Sequence, residues 1–196
     1  MTTPQEPQYA DRSFRSTAGI VGGLLLLGFA AWIAGDALVT GEGRVRWIAV
    51  AGLLLVVPLI VAFTFRPVVY ANDDRMRVRN PFRTVDLPWA SVADVRAGYS
   101  SEVITRDGTK YQLWSVPVSL RERKKAARRQ DRGGPGDAVE APRTAGADQT
   151  VADLRDLAER CASRPGAQGD PHVRWAYEII VPALAGLALL VVLLVV

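Results

Sequence analysis

The chain has 196 residues, with 24 Lys and Arg against 20 Asp and Glu, a formal charge of +4 and a pI near 9.6. A single Cys (Cys161) and a single His (His172) exclude an intrachain disulfide and a self-contained Cys/His zinc site. The 49 % hydrophobic content averages three apolar blocks with one polar stretch, so the sequence is read piece by piece.

Residues 1–17 form a polar tail carrying Arg12 and Arg15. Two apolar runs follow, Ala18 to Gly35 and Trp47 to Phe65. At 1.5 Å per residue each is long enough for the roughly 30 Å hydrocarbon core of a bilayer, so residues 18–65 are expected to form a two-helix transmembrane hairpin. The first run is longer than a signal-peptide apolar region and has no A-x-A site after it, which points to an uncleaved helix. Gly19, Gly22 and Gly23 offer close helix approach, Pro58 and Pro182 offer bends, and Asp36 reads as a wetted carboxylate at a helix end.

The polar stretch reads as strands. Val68–Ala71 precedes a turn cluster, Asn72, Asp73 and Asp74, and Arg75–Arg79 then alternates charged and apolar residues with the two-residue strand period. Asn80 and Pro81 punctuate, and Thr84–Leu87 alternates again, placing Val85, Leu87 and Trp89 on one face. Further on, Asp107-Gly108 sits between two alternating runs within Val103–Trp114, a hairpin signal.

Residues 121–148 are a basic, then Gly- and Pro-rich insertion expected to be disordered. Its first part, Arg121 to Arg132, contains Arg123, Lys124, Lys125, Arg128 and Arg129. A closing helix is predicted over 149–163: Thr150 and Asp153 form a capping-box pattern, and Val151, Leu154, Leu157, Ala158 and Cys161 share one stripe. Cys161 then serves as a small buried hydrophobe. Residues 164–174 are a linker, and 175–196 a third transmembrane helix introduced by Arg174, Trp175 and Tyr177.

The excess of Arg in the tail and after the second helix, compared with Arg44 and Arg46 in the tight connection, places the tail and polar domain on the cytoplasmic side. Trp47 then anchors the outer end of the second helix, and the C-terminus lies at the outer face.

A small antiparallel sheet of hairpins closed by one helix is the plan of a pleckstrin-homology (PH) barrel, an α+β domain here inserted between the helical hairpin and the last helix. The segments Arg66–Asn80, Val85–Val92 and Asp107–Trp114 resemble the bacterial PH-like domain family of actinobacterial membrane proteins, the low-molecular-weight antigen type, over a core of residues 66–120 within a domain of 66–163. The resemblance implies a membrane-tethered PH-like domain without catalysis and carries over no catalytic residue; no metal or cofactor is expected.

Two surfaces are candidates for an anionic partner: Arg75, Arg77 and Arg79, which alternate onto one face of a strand, and the basic run with Arg123, Lys124, Lys125, Arg128 and Arg129. The acidic turn before Arg75 disfavours a phosphate cradle there. No stacking aromatics or arginine–glycine repeats accompany the charges, so no nucleic acid is expected. Beyond membrane lipids around the spanning helices, the expected partner is an unknown protein or a second copy of the chain. The alternative is a peripheral sensor of anionic lipid headgroups.

Overall fold

Three helices long and apolar enough to cross a membrane dominate the computed structural model, which describes residues 12–97, 100–116 and 145–195. They are α1 (Thr17–Thr40), α2 (Arg44–Ile60), which continues to Phe65, and a C-terminal helix (Tyr177–Val195). Ser16 caps α1: its Oγ accepts the Gly19 amide at 3.2 Å, satisfying one of the free donors of the first turn. The helix stops at Gly41, whose amide returns to the Ala37 carbonyl at 3.1 Å.

Pro58 lacks an N–H, so the Leu54 carbonyl loses its normal helical donor. The helix then widens into a π turn, Val61–Phe65, in which the Arg66 amide reaches the Val61 carbonyl at 3.0 Å and Thr64 Oγ1 donates to the Ile60 carbonyl at 2.6 Å.

Among the described residues there are eight strands: β1 (Arg12–Phe14), β2 (Val68–Ala71), β3 (Arg75–Arg79), β4 (Arg83–Pro88), β5 (Val92–Ala97), β6 (Ser101–Thr105), β7 (Lys110–Gln112) and β8 (His172–Trp175). One sheet runs β1-β2-β3-β4-β8 and the other β5-β6-β7. In the first, β1 pairs antiparallel with β2, Ser13 opposite Tyr70. In the second, Val95 faces Val103, which in turn faces Tyr111. The helix between β7 and β8, α3 (Ala145–Cys161), packs on β5, and the C-terminal helix is α4.

By contacts the chain divides into two compact units. The first gathers the described residues of Met1–Arg15, Val68–Val78 and Val85–His172. Its core contains Val69, Met76, Val78, Val85, Leu87, Val95 and Val103 from the strands, Trp89 from the turn after β4, and Val151, Leu154, Leu157 and Cys161 from α3. Arg155 donates to the Val95 carbonyl at 2.6 Å and lies 3.2 Å from Asp94, both on β5.

The second unit comprises Ser16–Pro67, Arg79–Thr84 and the described part of Val173–Val196. Gly186 of α4 meets α2 backbone to backbone: a Cβ there would lie 2.5 Å from the Leu55 nitrogen and 2.7 Å from the Leu54 carbonyl carbon. Gly23 meets the Thr64 and Phe65 side chains in the same way, whereas Gly22 faces open space. The small residues at 19 and 23 are thus contact positions for the π turn, and Gly22 is not. Where α2 ends, Arg66 is a polar hub with an 8 % exposed side chain: it donates to the Asn80 carbonyl at 3.1 Å and to Glu178 at 2.7 Å. Phe82 stacks edge-on against Phe63 at 5.4 Å and packs on Ala62, Ala176 and Ile179.

Several sequence expectations need correction. Residues 12–14, placed in a tail, are a strand, and residues 172–175, placed in a linker, are another; both are short edge strands whose partners lie far away in sequence. The closing helix begins at Ala145 rather than 149, so Thr150 and Asp153 lie inside it and form no capping box. Ala145 and Ala147 favour this added turn, against the cost of Gly146 between them. Trp89 is fully buried as expected, but on a 3₁₀ turn, Trp89–Ser91, rather than in a strand. The expected disorder of 121–148 falls outside the described residues as far as 144.

Candidate functional site

The β2–β3 turn is built from short-range polar contacts. Asn72 Oδ1 accepts the amides of Asp74 at 3.0 Å and Arg75 at 2.8 Å, and the Asn72 amide closes on the Arg75 carbonyl at 3.1 Å. This is the side-chain-mediated turn that Asn favours. Trp89 supports it from inside the core, with Nε1 donating to the Asn72 carbonyl at 2.7 Å and its amide to the Asp74 carbonyl at 3.3 Å.

Two carboxylates project from this turn, and one arginine meets both. Arg164 Nη1 lies 2.8 Å from Asp73 Oδ2 and its Nε lies 3.6 Å from Asp74 Oδ1. Behind it, Gly166 sits so close to Asp74 that a Cβ would come within 2.6 Å of Oδ1. Gln168 holds the segment by donating to the carbonyls of Ala162 at 2.8 Å and Arg164 at 3.0 Å. With about half of each side chain exposed, the ion pairs contribute at most about 1 kcal/mol. Their consequence is electrostatic: a turn whose two carboxylates outnumber the arginine that bridges them keeps an acidic character and does not attract phosphate.

The three arginines of β3 occupy the alternate, outward positions between buried Met76 and Val78. Their environments differ. Arg77 Nε donates to Asp86 Oδ1 on β4 at 2.5 Å and its Nη2 to Oδ2 at 3.3 Å, a two-pronged cross-strand pair. Arg75 has a buried Nε with no hydrogen-bond acceptor among the described residues. Arg79 is half-buried. Alternation alone identified this face, but nothing in the sequence distinguished the paired arginine from the unpaired one. The basic-run candidates Arg123, Lys124, Lys125, Arg128 and Arg129 lie outside the described residues.

Arg164 was missed by sequence reasoning, which assigned it to a linker. It is 91 residues from Asp73, and no local pattern couples them. Cys161 is buried and free, and His172 is exposed. Among the described residues, no group of three His, Cys, Asp or Glu side chains is placed to hold a metal ion.

The Asp107 turn gives one pH-dependent expectation. The Thr105 hydroxyl donates to Asp107 Oδ1, the Thr109 amide reaches the same oxygen at 3.2 Å and the Thr109 hydroxyl reaches Oδ2 at 2.9 Å. Gly108 completes the turn with φ +84°. These donors, the Thr105 hydroxyl first, hold the Asp107 carboxyl below its ordinary value. A carboxyl depressed in the folded state stabilises above its unfolded pKa of about 3.9 and loses that contribution as pH falls through the lower folded value. Asp107→Asn should therefore be less stable than the parent at neutral pH, with the difference shrinking below about pH 4 in denaturant titrations at stepped pH. A constant difference would show that the charge is not what the turn uses.

A sheet domain closed by one helix, joined to three helices apolar enough to span a membrane, defines a membrane-associated protein with an interaction domain. The chain belongs to the bacterial PH domain family, whose model matches residues 66–177. The match extends well past the core of 66–120 that carried the resemblance, through α3 and into the first residue of α4. Comparison with curated proteins and with solved structures gives no match. PH domains are non-catalytic modules that bind lipids or proteins.

Proposed function

We propose that this chain is a non-enzymatic, multi-pass protein of the cell membrane that presents its PH-like domain at the inner face to an acidic protein surface, on a partner or on a second copy. The observation that carries this reading is the outward row of β3, where Arg75 keeps a cationic side chain without an ion-pair partner among the described residues while Arg77 is neutralised by Asp86. The basic run with Arg123, Lys124, Lys125, Arg128 and Arg129 adds unspecific attraction to the same class of surface. The β1–β2 pairing supports the orientation: strand residues before α1 and after α2 belong to one sheet, so the tail and domain share one side of the membrane. The Arg distribution makes that side the inner one, with the C-terminus at the outer face. The resemblance to the low-molecular-weight antigen type of actinobacterial membrane proteins is part of the same reading.

Sensing of anionic headgroups is the second reading, favoured by the basic run, since each cation near an anionic leaflet gains about 1 kcal/mol. The β2–β3 turn argues against a specific headgroup cradle there, because its two carboxylates outnumber Arg164, the arginine that meets both.

The test is crosslinking of the full chain in intact membranes. Arg75→Gln is the cleanest variant, because Arg77→Gln would also leave Asp86 unpaired. Loss of the crosslinked band in Arg75→Gln, with the fold retained by near-UV circular dichroism, is the expected result. An unchanged band would remove β3 as the contact face. Salt-sensitive binding to phosphatidylglycerol vesicles that vanishes on neutralising residues 121–132 would establish the lipid reading instead.

A further inference from the structure

Helices α1 and α2 are pinched together at both ends and open between them. At one end Gly19 and Gly23 lie against Thr64 and Phe65. At the other, a Cβ on Gly41 would come 2.8 Å from Val45 Cγ1. Between these closures lies a groove of about 500 Å³, within the range of roughly 300–1,000 Å³ found for ligand pockets. No residue lining it has a charged or hydrogen-bonding side chain; Ala30, Ala34, Ala49 and Gly52 leave its middle open. Such a surface holds no ordered water.

The groove's dimensions select its occupant. It follows α1 from Leu26 to Ala37 and α2 from Val45 to Ile60, roughly 16–22 Å at 1.5 Å per residue. That is close to the roughly 15 Å depth of one leaflet, half the hydrocarbon core. A leaflet-deep channel lined only by apolar side chains matches a single extended hydrocarbon chain.

Two arginines neighbour the end of the groove nearest the α1–α2 connection. Arg44 and Arg46 flank Val45, and both are exposed. Arg46 uses Nε on the Gly41 carbonyl at 2.7 Å, which leaves its two terminal nitrogens free, and neither arginine is ion-paired to nearby Asp36 or Glu42. A guanidinium pair at the surface end of a leaflet-deep apolar groove matches a phosphate attached to an acyl chain.

We propose that the α1–α2 groove binds one phospholipid, with an acyl chain along Ala30, Ala34, Ala49 and Gly52 and the phosphate on Arg44 and Arg46. This rests on the reading that the three helices span a membrane. The full-length chain is first tested for retention in carbonate-washed membranes, then reconstituted in nanodiscs of phosphatidylglycerol or phosphatidylethanolamine, extracted in detergent and weighed by native mass spectrometry. One retained phospholipid per chain is expected. Gly52→Leu, at a position where an added Cβ meets nothing within 4 Å, should lower retention at least about tenfold by filling the groove. Arg44→Gln with Arg46→Gln, on the exposed connection, should do the same without touching the groove wall. Retention of both lipids in the parent means that the phosphate is read, and retention of phosphatidylglycerol alone means that a net anionic headgroup is required; either supports the site. Equal retention across parent and variants, or no retained lipid in a chain that stays in the washed membranes, overturns it. So does a parent dimer that Gly52→Leu dissociates, which would assign the groove to a second copy. A chain released by carbonate overturns the spanning reading itself.

Discussion

Trp89→Ala is expected to unfold the first unit or bring it to the edge of unfolding. Trp89 is the largest fully buried side chain among the described residues, and truncating a buried Phe or Trp to Ala costs about 3–5 kcal/mol through lost burial and the cavity left behind. This substitution also removes the donor to the Asn72 carbonyl in a buried setting, which adds about 1–3 kcal/mol for the acceptor left unsatisfied. Together these approach the 5–15 kcal/mol that typical domains have in total. Trp89→Phe separates the two contributions, keeping most of the ring while losing the hydrogen bond. Chemical denaturation followed by near-UV circular dichroism should rank parent, Trp89→Phe and Trp89→Ala in falling order. A parent-like midpoint for Trp89→Ala would show that the β2–β3 turn and the core are not coupled through this side chain.

Gly186→Leu should separate α4 from α2. The atoms that a side chain would meet are backbone atoms of Leu54 and Leu55, which have no rotamer to move into, so the cost lies at or above the upper end of the 1–3 kcal/mol typical of overpacking. Helix association in a bilayer depends on such close packing because lipid tails are as apolar as leucine. Gly22→Leu is the control, since its added side chain meets open space in an equally apolar helix. Cysteine crosslinking between α2 and α4 in membranes should fall sharply for Gly186→Leu and stay unchanged for Gly22→Leu. Equal crosslinking in both would mean that Gly186 merely happens to be small.

What could be read from the sequence was local. The apolar blocks showed themselves by length, and the hairpins at Asn72–Asp74 and Asp107-Gly108 by strand periodicity joined to turn chemistry, each decided within about ten residues. The arginine face of β3 was visible for the same reason. The missed features depend on residues far apart in the chain. Strand β1 has three residues and no alternation of its own, and exists because Val69–Ala71 offer an edge. Arg164 meets Asp73 across 91 residues. The π turn, Val61–Phe65, has no sequence signature of its own in an apolar run that reads as one continuous helix. For the candidate surface, alternation supplied the direction of the side chains, while the pairing of Arg77 with Asp86 required the β3–β4 register.

The pairing of β1 with β2 bears on how the chain is made and how it can be cut. During synthesis, Arg12–Phe14 emerge before the whole α1–α2 hairpin, and their partner strand follows more than fifty residues later. At roughly 5–20 residues per second, β1 waits several seconds without a partner while the hairpin is being made, so this sheet is completed only after that delay. Excision has the converse effect. A fragment that starts at Arg66, where the family match begins, keeps β2 but discards β1. It would expose the backbone donors and acceptors of Val69–Ala71 as an open strand edge, a template for aggregation between fragments. Self-association seen in such a fragment would report a cut sheet and not a property of the intact protein.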